Sequence, residues 1–457
     1  MTGDHAARPG MAAPRLALAG WVLFDWAAQP FFSLVQTFGY APYFVRVMVG
    51  DPVAGQAYWG YGTAVAALLI AVLSPTLGAI VDQMGRRKLW IGATGAIYAL
   101  CCVLLWFCRP GEPGAIVMAL AAVCVAAVAI EIAVMVNNAM LPGLVDRSHV
   151  GRLSGLGAAL GNVGGVVATL LVLTLFVANP GTGKTLLGIA PILGLDGAHQ
   201  EGARAIGPFS ALWFGCFILP LLLFTPDARP IRTGTPTIRA GLSALRASLR
   251  ELPRHPALLR FLIANMIYTD GLVALFAMGG IFASSILGWT AIQVGLFGML
   301  VTTAGIAGAL AGGSLVDRIG ARAVVLLTLG LLMAALAGTL SLGPDHVGPW
   351  AVAPPRPDRV LFDSAAERVY LAIGTLIGLC SGALLASTRI VLIGLAPPDR
   401  LTQFFGLFAL SGRVTAFLGP LSVAVATQLM ASQRAGIAVL MVFFAVGMAL
   451  LATVKTR

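Results

Sequence analysis

Asp25, Glu131, Asp270, Arg389 and Arg413 are ionisable residues set deep inside long apolar stretches. A charge near the middle of a bilayer is costly, so such a side chain faces a protein interior or a water-filled cavity and is a functional candidate by default. A carboxylate placed there can take up and release a proton, and a guanidinium can hold a carboxylate. Each residue also has a plainer reading. Asp25 with Arg389, and Asp270 with Arg413, can be ion pairs that only fix helix packing. Glu131 has no charge to match it in its own half, and burial without a counter-ion favours the neutral form, which suits a proton carrier. Asp25 and Asp270 are the alternatives for that task.

A second set of residues repeats. Gly78-Ala-Ile-Val-Asp82-Gln-Met-Gly85-Arg86-Arg87-Lys88 returns as Gly313-Ser-Leu-Val-Asp317-Arg-Ile-Gly320-Ala321-Arg322, each phrase ending an apolar run. Asp82 and Asp317 stand where they can pair with Arg87 and Arg322 or meet a neighbouring helix N-terminus. Gly78 and Gly313 let a helix approach, and Gly85 and Gly320 permit a tight turn. The expected role is a charge latch that gates a conformational change, together with Arg86.

The elements that position these residues are apolar runs of membrane-spanning length. Hydrophobic residues make up 58%, charged residues 10%, and mean hydropathy is +0.92. Soluble domains carry about 25% charged residues, so a soluble core is excluded. Twelve runs long enough for a hydrocarbon layer of roughly 30 Å lie at about 18–46, 57–81, 89–108, 114–145, 154–178, 207–225, 259–285, 291–316, 323–343, 368–395, 402–427 and 435–454. Backbone groups in lipid must be satisfied within each segment, so the spans are helices, and the short alternating strands of a β-barrel are missing. Four of the five charges fall in spans one, four, seven and ten, equivalent positions in a pattern of three-helix units.

The net charge of +11 reflects topology. With the N-terminus inside, predicted cytoplasmic segments hold nineteen Lys and Arg, the outer loops eight. That is the positive-inside bias and places both termini in the cytoplasm, with no nucleic-acid partner needed. The polar residues 1–15 and the long first span do not read as a cleavable leader. The six cysteines read as small buried hydrophobes, and the five histidines lie outside the spans, so neither a metal nor a cofactor is expected. No nucleophile elbow or acyl-transfer grouping is present, so the chain does not read as an enzyme. Gly181-Thr-Gly183-Lys184-Thr185 lacks the first glycine and the strand–helix setting of a phosphate loop.

The repeat extends to Gly155–Val163 against Gly406–Val414, and Asp25 answers Asp270 with Phe31 opposite Phe276. Span n thus matches span n + 6, the build of a two-half secondary transporter with its site between the halves. The expected organisation is a six-helix half at 1–225, a cytoplasmic linker at 226–257 and a second half at 258–457. The linker carries an amphipathic helix near 238–252, with Leu242, Leu245 and Leu249 on one face, suited to a lipid interface.

These motifs resemble the major facilitator superfamily. Within it the chain is similar to the "unknown major facilitator" branch, which includes fungal autophagy-related vacuolar amino-acid effluxers. The matching residues are Phe24-Asp25-Trp26-Ala27, Asn138-Ala-Met-Leu-Pro142, Tyr268-Thr-Asp270-Gly271, Phe276-Ala-Met-Gly-Gly280, Phe405-Gly406-Leu-Phe-Ala-Leu-Ser-Gly412-Arg413, Phe417-Leu-Gly-Pro420 and Ser432-Gln-Arg434-Ala-Gly436. Phe24 and Ala28 depart from the branch's Tyr-Asp-Trp-Ala-Asn, and Glu131 is not part of its pattern. The resemblance implies an all-α, twelve-helix transporter in two pseudo-symmetric halves, with Asn138 a further candidate in span four.

Three functions follow as expectations. The first is a proton-linked carrier of an amino acid or similar zwitterion, Arg389 meeting its carboxylate and Asp25 or Asp270 its amine. The second is an exporter of amphipathic compounds or lipids, and the third a non-transporting receptor or scaffold. The expected setting is a monomer in the lipid bilayer of a bacterial inner membrane, with a small molecule and protons as partners.

Overall fold

The computed structural model describes residues 14–84, 86–145, 147–227, 252–353, 361–396, 404, 407–408, 411–412 and 414–454, without the side chains of 74–76, 78–80, 82–84, 142 and 147–152. The expected linker helix and Arg413 lie outside the described residues.

Helices follow in the expected order. Span one covers Arg15–Val49 and span two Pro52–Met84. Spans three to six are Arg87–Leu104, Ala115–Met140, Arg147–Leu175 and Ile206–Phe224. Spans seven to ten are Pro256–Ser285, Ala291–Ile319, Ala321–Leu340 and Ala365–Leu395. Span twelve joins Gln433–Ala438 to Leu440–Ala452. Eleven of these helices are long and apolar enough to cross a membrane. Span eleven is the exception, because its described helix, Leu418–Leu429, is only 12 residues.

Span one departs most from a regular helix. Pro30 has no N–H to give to the carbonyl of Trp26, four residues earlier. That carbonyl accepts from Trp213 Nε1 of span six at 3.0 Å instead, and the two indoles stack. The chain then runs as a π-helix over Phe31–Phe38, where the Thr37 hydroxyl donates to Phe32 O at 2.8 Å. Gly39 ends this segment, its N–H reaching back to Leu34 O. A Cβ at Gly39 would overlap that carbonyl and Ile206.

Glycine lets helices touch backbone to backbone, the usual device where lipid removes the hydrophobic drive. Gly157, Gly161, Gly164 and Gly165 of span five receive Asp25, Trp26 and Gln29 of span one. In the second half, Gly308 and Gly312 of span eight face Leu379 and Ala383 of span ten. Gly378 and Gly382 of span ten answer against Val301 and Gly305. The starts of these two spans are also joined. Thr290 and Gln293 form a capping box on span eight, Ser364 and Glu367 another on span ten, and Gln293 Nε2 donates to Glu367 Oε1 at 3.1 Å. All six cysteines are free thiols, and Cys216 is exposed rather than buried.

The halves are locked at one end. Gln56 Nε2 of span two donates to Thr427 Oγ1 at 2.7 Å and to Gln433 O at 3.1 Å, and Gln433 Nε2 donates to Pro52 O at 2.8 Å. Tyr61 binds Gln428 nearby, and Arg46 donates to Trp289 O at 3.1 Å. Among the described residues, the hydrogen bonds between halves lie at this end. The opposite end carries Arg15, Arg87, Arg322 and Ala452, so the outer ends of spans one and twelve share a face with both repeated phrases.

Candidate functional site

Two connected spaces lie between the halves, away from the locked end. One, of about 440 Å3, is lined by Phe32, Gln36 and Thr37 of span one, Thr63 and Ile70 of span two, Glu131 of span four, Val273 and Phe276 of span seven, and Gly412, Ala416 and Pro420 of span eleven. The other, of about 650 Å3, is lined by Gln29, Ser33 and Phe38 of span one, Asn162 of span five, Thr302 and Leu310 of span eight, and Ser381, Leu385 and Arg389 of span ten. Phe32, Thr37 and Phe276 line both, so the two spaces adjoin there as lobes of one region between the halves. Leu310, Leu385 and Arg389 are exposed at its wide end.

The π turn sets this junction. The repeat pairs Phe31 with Phe276, yet Phe31 is fully buried against Phe32 and Tyr98 while Phe32 lines the cavity. An i→i+5 turn inserts one extra residue, which shifts the cavity-facing position along the chain. It also presents polar side chains to both lobes, Gln36 to one, Gln29 and Ser33 to the other. Those side chains, with Asn162, Thr302 and Ser381, were missed from sequence. Their signal was a polar stripe, Gln29, Ser33 and Gln36 or Thr37, at helical spacing in an apolar span.

The charged candidates separate. Glu131 and Arg389 line opposite lobes. Glu131 is engaged by a neighbour. Asp25 sits off the cavity, its Oδ2 beside Gly157 where a Cβ would stand, and forms no ion pair with Arg389. Asp270 is 1% exposed at the contact with span eleven, where Gly419 meets its carbonyl. Close glycine contacts hold both aspartates within their own halves, so the four charges do not converge on one space. Asn138 is exposed near the end of span four, and the backbone carbonyl of its neighbour Asn137 accepts from Trp21 Nε1 at 2.8 Å.

At the second repeated phrase the partners differ from the expected pair. Arg322 donates to Leu451 O and Ala452 O at the end of span twelve, and Asp317 is exposed without it. A guanidinium at a helix C-terminus satisfies carbonyls that have no partner in the helix and meets the negative end of the dipole. Arg87 likewise donates to Ala139 O at 2.8 Å, and its own N–H is accepted by Asp227 Oδ1 at 2.9 Å. Asp227, beyond span six, therefore caps span three, a role sequence reading missed. The Asp82 side chain and Gly85 lie outside the described residues. Arg86 is exposed, and Gly320 makes the turn at φ +83°. Gly313 faces open space, with the close helix approach one turn earlier, at Gly308 and Gly312.

The family described as "Vacuole effluxer Atg22 like" matches residues 42–457. The chain belongs to that family. It is 22% identical to "Uncharacterized MFS-type transporter YxiO" of Bacillus subtilis over 440 residues, covering 95% of this chain and 94% of the relative. It is 26% identical over 319 residues to "Autophagy-related protein 22" of Cryptococcus neoformans, spanning 67% of this chain and 53% of that longer protein. Among solved structures, the nucleoside transporter NupG superposes at TM-score 0.66 with 14% identity, over 96% of this chain and 98% of that one. The xylose transporter XylE from E. coli does so at 0.60 with 10% identity, over 97% and 96%. The fold is that of the major facilitator superfamily, and the chain is a multi-pass membrane transporter rather than an enzyme.

Proposed function

We propose that this member of the Atg22-like family moves a small zwitterion, an amino acid or close relative, by alternating access, and that it works as an exporter linked to protons. The observation that carries the reading is the placement of Glu131 and Arg389 on opposite lobes of one cavity. A carboxylate is held best by a guanidinium, and an amine by a carboxylate. Asp270 is too buried to meet the amine and Asp25 sits off the cavity, so that role passes to Glu131. The lock at the Gln56–Thr427 end makes this the state open toward the termini. The positive-inside bias supports an opening on the cytoplasmic side, and the membrane in this reading is a bacterial inner membrane. The chain acts as a monomer, in two halves joined through 226–257, with the repeated phrases at the gate.

The test is uptake and efflux in reconstituted vesicles with a panel of amino acids, with and without a pH gradient. Arg389→Ala should raise KM at least tenfold for the transported amino acid. Glu131→Gln should keep exchange but lose the response to the gradient. No transport of any amino acid by the intact protein overturns the reading. A second reading rests on Val301, Ile306, Leu310 and Leu385 around Arg389, which suit an amphipathic anion. Selective transport of such compounds from the same panel would favour it.

A further inference from the structure

A third space lies at the locked end, and among the described residues it shares no lining side chain with the substrate cavity. It holds about 520 Å3, a volume suited to a small organic molecule. Its walls come from both halves. Tyr43 and Arg46 at the end of span one and Gln200 of the loop before span six face Ser284 of span seven and Trp289. Arg46 and Pro180 are exposed at the mouth, while Tyr43, Ser284 and Trp289 are buried at the floor.

The chemistry of these walls is one-sided. Among the described residues that line the chamber, none is acidic. The carboxylate of Glu201, beside Gln200, is already taken, accepting from Arg204 and from the Asp196 N–H, each at 2.9 Å. The Arg46 guanidinium, anchored on the Trp289 carbonyl at 3.1 Å, brings a full positive charge. Thr290 and Ala291 put the first turn of span eight on the wall, where a 29-residue helix presents the positive end of its dipole. The Tyr43 hydroxyl and Trp289 Nε1–H are buried donors with no partner among the described residues. An unpaired buried donor is costly, so an acceptor supplied from outside is favoured here.

We infer that this chamber is a second binding site, for a small organic carboxylate, and that its occupant holds the locked end shut. A carboxylate suits a guanidinium and a set of N–H and O–H donors better than a neutral group does. The apolar remainder of the molecule would rest on Pro42, Val177 and Val294. Tyr43 and Ser284 belong to different halves, so the chamber is whole only while the halves meet at this end. A ligand that prefers one of two states shifts the balance toward it. The occupant therefore opposes opening at the Gln56–Thr427 end, from the side opposite the open cavity. This goes beyond the transport reading and holds whichever solute is carried.

The test uses the purified full chain, with sodium benzoate as probe and benzamide as its neutral counterpart. Calorimetry should show benzoate binding about tenfold tighter than benzamide, with an equal concentration of sodium chloride leaving its affinity unchanged. Arg46→Gln should weaken benzoate about tenfold and Tyr43→Phe several-fold, while Arg389→Ala keeps the wild-type affinity. Size-exclusion profiles control for folding, and Tyr43→Phe decides the matter if Arg46→Gln does not fold. Backbone amides at 52–61 and 425–436, outside the chamber, should exchange hydrogen several-fold more slowly with benzoate bound. Benzoate that binds no better than benzamide, or yields to chloride, overturns the site. So does binding that is lost in Arg389→Ala but kept in Arg46→Gln and Tyr43→Phe. Binding without slower exchange at the lock overturns its part in holding that end shut. Failure of the amino-acid panel leaves either result standing.

Discussion

Gln56 of span two donates to the Thr427 hydroxyl of span eleven at 2.7 Å, and both residues are fully buried between the halves. Every group in this Gln56–Thr427–Gln433 cluster is neutral: two glutamine amides, a threonine hydroxyl and the carbonyls of Pro52 and Gln433. A buried neutral pair loses strength only when one partner is removed and the other left dry.

Thr427→Val should therefore open the lock. The Gln56 amide keeps Gln433 O but loses its shorter acceptor, and a buried amide hydrogen left unpaired costs about 1–3 kcal/mol, a shift of roughly tenfold in the balance of states. A single cysteine at Ser284, buried in the space beside this end, should react several-fold faster with a membrane-impermeant maleimide. An unchanged rate would show that the end is held by packing alone.

The paired capping boxes of spans eight and ten make a separate prediction. Glu367→Ala removes the acceptor of the Ser364 N–H at 3.0 Å and of Gln293 Nε2 at 3.1 Å, all three residues buried. Lost caps cost about 0.5–2 kcal/mol each, with more for a dry amide. Tm should fall by several degrees, while Glu367→Gln, which keeps one acceptor, should fall less. Equal losses would mean that the charge, not the caps, stabilises this end.

Spans eight and ten also fix the second half through glycine. Gly382→Val places carbon atoms onto the backbone of Gly305 and Ala309, neither of which can yield as a side chain could. Overpacking of about 1–3 kcal/mol per site is a lower bound here. The variant should lose the monodisperse folded peak in detergent, whereas Gly330→Val, at a site with nothing nearby, should keep it. Folded Gly382→Val would show that the two helices can part without loss.

The fold was legible because lipid leaves the chain few choices. Apolar length fixes helices, and the doubled Gly-x-x-x-Asp phrase fixes two halves. The cavity was legible in part. Glu131 and Arg389 announced themselves by charge, but burial of Asp25 and Asp270 turns on which face Gly157, Gly161 and Gly419 present, and span length is silent on that. The pairing of Asp317 with Arg322 failed because helix ends compete for guanidinium groups. The carbonyls at Leu451 and Ala452 come from a helix far off in sequence. Pro30 was a visible signal of a broken hydrogen bond, but not of the indole that replaces it.

A chain that arose by doubling starts with two equal walls around its site, and any solute bound midway would meet the same surface twice. The extra residue wound into Phe31–Phe38 removes that equivalence, since span seven runs as a plain α-helix. One wall now offers amide and hydroxyl groups on two sides, while the other offers Phe276 to both. A bound molecule thus has a head and a tail direction imposed on it, and opening toward one face of the membrane is not the mirror of opening toward the other.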